Sequence, residues 1–334
     1  MFKIDKTYIV SKDSTKYLSF PDIIKSNISK DKLFMVYREG DCHHPIWSKL
    51  VLMVSNDNGE TWELLKEFPR DLENNKCVWN CPRLSYIDDC LFIICDQKSG
   101  VIEKIAQFST TLFLSYDDGN SWKTKDVPFP GMVPDKIIKF KENLFCANHK
   151  IKSTKNDLVQ LVSWSRDNGK TWYDTNIIAH DPAKQFCEAS IVNMGEYLIA
   201  YLRDNSDHQK NICTSISKNG NHWTVPEELP IFGQRVTALK DEDRSKSVIG
   251  AYRDTEYDPF KISLPKLKVC VFEHDLKNNT IKTSEIDWEY PNQQYHFGYT
   301  GLVRISPNKY IVVYYIKQNS SKPYIKLAFI SKVK

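Results

Sequence analysis

The sequence predicts an all-β chain folded as a six-bladed β-propeller of four-stranded antiparallel blades, spanning 1–334 as one domain. Three observations predict it. An eight-residue turn pattern occurs three times, at 55–62, 115–122 and 165–172. A fainter repeat of paired apolar strands occurs six times. No linker rich in Pro, Gly or Ser divides the chain.

Each turn pattern reads Ser, any residue, Asp, any residue, Gly, any residue, Ser or Thr, then Trp. Ser and Asp side chains bond the local backbone, and Gly takes the positive φ that a hairpin turn needs. The Trp then opens the next strand and packs across the blade. The copies lie about 60 and 50 residues apart, and a degenerate fourth, Gly220 to Trp223, follows at a similar distance. Repetition at this period marks a propeller or solenoid.

The six fainter units start at Phe20, Cys81, Val133, Cys187, Gln234 and Gly298. Their second strands run from Leu33 to Arg38, Leu91 to Asp96, Leu144 to His149, Leu198 to Arg203, Val248 to Arg253 and Tyr310 to Tyr315. Short, nearly continuous apolar runs bounded by polar residues read as strands buried on both faces. A third strand leads into each turn pattern (50–54, 111–114 and 159–164), and a fourth follows its Trp. Four strands in each of six units make a six-bladed propeller. The segment 7–10 is expected to pair with the C-terminal strands and close the last blade, removing an exposed sheet edge. The fifth unit lacks the turn pattern and is expected to use a plainer hairpin at 272–281.

Composition sets bounds on function. Apolar residues make up 41% of the chain and aromatics 12%, enough for a globular core. The net charge of +4 is small, and no segment gathers Lys and Arg into a run, which argues against nucleic acid as a partner. The N-terminus lacks the apolar stretch of a secretory signal, and nothing later is long enough to span a membrane, so a cytoplasmic protein is expected. The nine Cys residues follow no disulfide spacing and read as reduced thiols. Cys77, Cys81, Cys90 and Cys95 fit no common zinc pattern, and the adjacent His43 and His44 point apart on an extended chain. No metal or cofactor is expected.

The repeat also locates a site. Inner strands of a propeller run along its axis, so equivalent residues at one end of them meet around one mouth. The inner strands contribute Asp22, Arg83, Asp135, Glu188, Arg235 and Tyr299; the second strands end in Arg38, Asp96, His149, Arg203, Arg253 and Tyr315. Ionisable groups converging at the ends of apolar strands suit a charged polar ligand.

The turn pattern is the Asp-box, or BNR repeat, and the chain resembles the sialidase superfamily. That resemblance implies a Tyr nucleophile activated by a Glu, with Arg residues gripping a substrate carboxylate. A sugar whose reacting carbon bears a carboxylate repels an anionic nucleophile, which a neutral phenol avoids. Tyr299, followed by Thr300, looks like the nucleophile segment. Glu188 with Arg203 fifteen positions on resembles the catalytic Glu and a clamp Arg; Arg253 and Arg38 match further Arg positions. Two departures stand out. The family's opening Arg-Ile-Pro segment reads Ser19, Phe20, Pro21, Asp22, so an acid stands near the lost Arg. The family's acid/base Asp falls in a loop where His43 matches by position and Asp41 by residue type, and a His suits general acid work near neutral pH. Arg83, Asp96, Asp135, Lys136, His149 and Arg235 remain as further ligand-binding candidates. The implied function is a retaining exo-glycosidase acting on a terminal, acidic sugar of a glycan. A propeller that binds a glycan without cleaving it stays open, as does a lyase or isomerase with His43 or His149 as base.

Overall fold

The computed structural model describes residues 1–99, 108–129, 131–152, 157–206, 211–254, 267–289, 297–318 and 320–333. Strand β1 (Phe2–Ser11) opens the chain. The first blade is β2 (Tyr17–Lys25), β3 (Leu33–Gly40), β4 (Trp47–Ser55) and β5 (Glu63–Asp71). A one-turn helix, α1 (Leu72–Asn75), capped by the Asp71 side chain, leads onward. The second blade is β6 (Cys77–Ile87), β7 (Cys90–Ser99), β8 (Phe108–Ser115) and β9 (Lys123–Val127). The third is β10 (Ile137–Phe140), β11 (Asn143–Ile151), β12 (Leu158–Ser165) and β13 (Tyr173–His180). The fourth is β14 (Phe186–Asn193), β15 (Leu198–Asp204), β16 (Asn211–Ser217) and β17 (Glu227–Phe232). The fifth is β18 (Gln234–Lys240), β19 (Ser247–Asp254), β20 (Leu267–Asp275) and β21 (Thr280–Glu289). The last is β22 (Thr300–Ser306), β23 (Lys309–Ile316) and β24 (Tyr324–Lys332), with β1 as its outermost strand.

This is a six-bladed β-propeller of four-stranded antiparallel sheets. The inner strands β2, β6, β10, β14, β18 and β22 each neighbour the next around the axis. Strand β1 pairs antiparallel with β24 from Phe2 opposite Lys332 to Ser11 opposite Ile325, so the two ends of the chain share one sheet. The plain hairpin of the fifth blade joins β20 to β21, with Asn279 at a φ of 50°. Among the described residues no helix is long and apolar enough to cross a membrane.

Burial falls from the axis outward. All of β3 is buried, whereas β5 and β9 are mostly exposed. The apolar side chains do not form one central core. They gather between neighbouring blades: Phe34, Val36, Leu50 and Leu52 of the first blade meet Leu84, Leu91, Ile93 and Phe113 of the second. Corresponding clusters fill the other blade-to-blade interfaces, including Tyr37 and Val51 against Ile311, Val313 and Leu327 where the ring closes.

The Asp-boxes lock these interfaces. Ser115 Oγ accepts the Gly119 amide at 2.8 Å and donates to Asp117 at 2.8 Å. Asp117 accepts the Ser121 amide at 2.8 Å and its hydroxyl at 2.5 Å; these bonds hold its carboxyl down to about 2. The Trp122 indole donates to the Gly119 carbonyl and packs with the cluster shared with the preceding blade. Trp62, Trp172 and Trp223 take the corresponding places. Glycine is required by space as well as by φ. A Cβ on Gly119, at a φ of 94°, would lie 3.0 Å from both Leu65 and Phe34, and one on Gly220 would lie 2.2 Å from Phe145. Each box joins the third strand of its blade to the fourth, at the opposite end of the barrel from the heads of the inner strands.

Replacing Ser115, itself fully buried, with Ala strips the turn of its acceptor for the Gly119 amide. The expected loss is about 1–3 kcal/mol in urea unfolding. A midpoint unchanged from the parent's would contradict the role given to this hydroxyl.

Candidate active site

The inner strands begin with kinks. Register slips one step between Ser19 and Asp22, Trp79 and Pro82, Cys187 and Ser190, and Gln234 and Thr237. Phe20, Val133, Glu188, Arg235 and Gly298 take left-handed φ values of 54°, 49°, 48°, 48° and 82°. Such a conformation strains a residue with a Cβ by about 1–3 kcal/mol and persists only where surroundings impose it. Side chains accept the amides these bulges free: Asp96 takes the Cys81 and Val133 N–H groups at 3.0 Å, Gln160 takes that of Ala189 at 3.0 Å, and His149 Nδ1 takes that of Glu188 at 3.4 Å.

The bulges bring Glu188 and Tyr299 together. The Tyr299 hydroxyl donates to Glu188 Oε1, while Arg203 Nη1 donates to Oε2 at 2.7 Å. Arg203 also reaches Asn205 at 2.6 Å. Arg235 donates to the Glu188 carbonyl and to Asp135, both at 3.2 Å, and its guanidinium lies 5.5 Å over the Tyr299 ring. Burial alone would raise the Glu188 carboxyl, but the charges of Arg203 and Arg235 outweigh it and hold the group down to about 2. The Tyr299 phenol is pushed well above its ordinary range by burial and then by the Glu188 charge. The pair therefore rests as carboxylate and neutral phenol. Burial lowers His149 to about 4, keeping its imidazole neutral at physiological pH.

Two further guanidiniums flank this pair. Arg253 donates to the Phe297 carbonyl at 2.7 Å and to the Gln234 side-chain oxygen. Arg38 donates to Ser19 Oγ at 3.2 Å, Asn80 Oδ1 at 3.5 Å and the His43 carbonyl at 3.1 Å. Both are buried, and among the described residues every one of these partners is neutral. The Arg253 pKa is lowered, by burial first and then by the Arg203 charge. Buried cations hydrogen-bonded to neutral groups are costly and favour an incoming anion.

The place expected for an acid near the lost Arg is different in the structure. Asp22 is fully buried and turned away, accepting the Leu84 amide at 2.8 Å and pairing with Lys136 at 3.0 Å. Its neighbour Phe20 faces the mouth instead, 4.9 Å from the Tyr299 ring, 5.6 Å from Tyr315 and 4.6 Å beneath the Arg38 guanidinium. The reason is the bulge, which swings one residue inward and sends the next but one into the channel. Arg83, Asp96 and Asp135 lie in that same buried layer, bonded to framework groups: Arg83 to the Thr300 carbonyl at 3.2 Å, Asp135 to the Ile191 amide at 3.3 Å. In the loop after β3, His43 stacks edge-on to Tyr17 at 5.9 Å, sits 5.9 Å from Phe20, and shares a 3.2 Å bond between Nδ1 and the Tyr17 hydroxyl. Asp41 bonds the Ile46 amide at 3.1 Å within its own loop. Phe20, Tyr17, Gln234 and Asn80 are parts of the mouth that motif reasoning missed. Phe20 shares the left-handed φ and the bulge position of Glu188, so it, and not Asp22, is that residue's equivalent in the first blade.

Comparison with known proteins follows this geometry. The BNR repeat-like domain model matches residues 88–254, half of the chain. No curated protein sequence matches it. A protein of unknown function from Dyadobacter fermentans superposes with a TM-score of 0.79 at 18% identity, covering 99% of both chains. Trypanosoma rangeli sialidase, solved in complex with sialic acid, gives 0.70 at 13% identity over 99% of this chain and 58% of its own. The α-L-arabinofuranosidase Arb93A from Fusarium graminearum, solved with an iminosugar inhibitor, gives 0.66 at 12% identity over 98% of both. At such identities the likeness is one of fold.

Glu188 falls from an ordinary 4.5 to about 2, and His149 from 6.5 to about 4. Each folded-state value lies below its unfolded one, so the unfolded chain binds the proton first as pH falls, and acid costs stability. The His149 share is present above about pH 6.5 and is lost on the way down to about 4. Urea unfolding between pH 7 and pH 4 should register this share as a loss on the order of 1–3 kcal/mol. His149→Asn should flatten that slope; an unchanged slope would mean that another group carries it.

Proposed function

The chain belongs to the BNR repeat-like domain family, and from that premise we propose that it is a retaining exo-glycosidase, sialidase-like in chemistry, that removes a terminal acidic sugar from a glycan. The observation that carries this reading is the Tyr299–Glu188 hydrogen bond set among guanidiniums, two of which, Arg38 and Arg253, are buried and, among the described residues, hydrogen-bonded to neutral groups.

The chemistry is that of a phenol held beside its base. The substrate carboxylate docks against Arg253 and Arg203, whose planar forks suit it. Sharing Arg203 with the substrate weakens the charge that holds Glu188 down, and the incoming anion adds to the effect. Glu188 thus becomes a better base when the site is filled. It takes the Tyr299 proton as the phenolic oxygen bonds to the anomeric carbon and the glycosidic bond breaks. His43, as imidazolium, gives its proton to the departing oxygen. Water, losing a proton to His43, then attacks the anomeric carbon; the Tyr299–sugar bond breaks and Glu188 returns the proton. Two displacements retain the anomeric configuration. Arg38 and the Phe20 ring line the wall beside the sugar.

A glycan-binding propeller without turnover is the second reading. It is favoured by the placement of Asp41, whose carboxylate is engaged within its loop rather than at the mouth.

Aryl α-sialosides and aryl glycuronides, followed for phenol release and by NMR for product anomer, test the first reading. Glu188→Gln should lower kcat by about 10²–10⁴-fold, and Tyr299→Phe should abolish measurable turnover while leaving acidic-sugar binding intact. Inversion of the anomer, or hydrolysis that survives Tyr299→Phe, would overturn the mechanism. Binding without hydrolysis by the parent protein would favour the second reading.

A further inference from the structure

We propose that His149 is a positioning residue for Glu188: a neutral acceptor, donated by the neighbouring blade, that holds the strained backbone from which the carboxylate projects. The proposal rests on the catalytic reading of Glu188 given above.

The repeat itself supplies the argument. His149 lies near the end of the second strand of its blade, at the position Asp96 holds in the blade before. Asp96 accepts the amide of Val133, the left-handed residue heading the next inner strand. His149 accepts the amide of Glu188, the left-handed residue heading the inner strand after that. Equivalent positions therefore perform the same task, securing the next blade's bulge, with different chemistry.

The difference follows from what each bulge presents. Val133 carries an inert side chain, so a carboxylate beside it does no harm. Glu188 carries the base. A second carboxylate there would repel its charge and raise its pKa, as paired carboxylates do. It would also oppose an acidic substrate. An imidazole accepts the same amide without adding charge, provided that it stays neutral. Burial secures this, with Glu188, Arg203 and Arg235 as the charged groups that face it. Because Nδ1 accepts, the ring proton belongs on Nε2. Gln160 accepts the next amide, that of Ala189, so two side chains of one blade hold successive N–H groups of its neighbour.

Three substitutions and two spectroscopic measurements test this. His149→Asn keeps a neutral acceptor and should retain kcat within about threefold. His149→Leu removes the acceptor and should lower kcat about 10- to 100-fold with little change in KM, the scale expected of a misplaced catalytic group. His149→Asp keeps the acceptor but adds charge, and should move the acidic limb of the kcat profile to higher pH. Imidazole ¹⁵N shifts of the parent protein should report an unprotonated Nδ1 from pH 5 to 8, and amide exchange at Glu188 should quicken in His149→Leu but not in His149→Asn. An Nδ1–H tautomer, or parental kcat and parental exchange in His149→Leu, would overturn the proposal. The tautomer and exchange readouts need no turnover, so they decide the clamp even where the glycosidase reading fails.

Discussion

No blade of this molecule can bury its own apolar faces, and everything else in the structure depends on that constraint. A twisted four-stranded sheet has two faces and needs a neighbour on each. Here the apolar clusters lie between blades, and the ring must close for the first and last to be covered. The Asp-box is the device that fits one blade to the next. Its serine and aspartate close the turn, its glycine lets that turn press against the preceding blade, and its tryptophan fills the remaining space.

Ring packing also explains the charge at the axis. Six inner strands converge at one end, and their frayed amides must find acceptors. The bulges answer that need, and the side chains they redirect divide into two layers. One layer, with Asp22, Arg83, Lys136 and Asp135, is bonded to the framework and fills the channel. The other, with Glu188, Tyr299, Arg203, Arg253 and Arg38, opens toward the mouth. Glu188 stays ionised because the guanidiniums of Arg203 and Arg235 outweigh its burial, and Tyr299 stays neutral because burial and the Glu188 charge raise its phenol.

Much of this was legible in the sequence, for reasons that can be named. Turn chemistry is local, so the boxes at Ser55, Ser115 and Ser165 announced the period, and the apolar second strands then counted the blades. Tyr299, Glu188 and Arg203 could be found because a motif ties them to a chemistry. What was not legible is the register within each bulge. A bulge inserts a residue without leaving a mark in hydrophobic pattern, so Asp22 read as facing the mouth when Phe20 does. The neutral partners of Arg38 and Arg253 were equally hidden: Asn80 and the Phe297 carbonyl come from the next blade, and Gln234 meets Arg253 across the strand pair only in the bulged register.

The pairing of β1 with β24 has a consequence for the order of folding. The outermost strand of the last blade is made before the other strands of the propeller, and it waits for partners that lie about 320 residues on. Blades one to five can assemble as the chain lengthens, but Glu188 and Tyr299 face each other only after the sixth has been laid down and the seam has zipped. A partly synthesised chain therefore has five stacked sheets with two open sides and no Tyr299–Glu188 pair. The Tyr299–Glu188 hydrogen bond is a property of the closed circle alone.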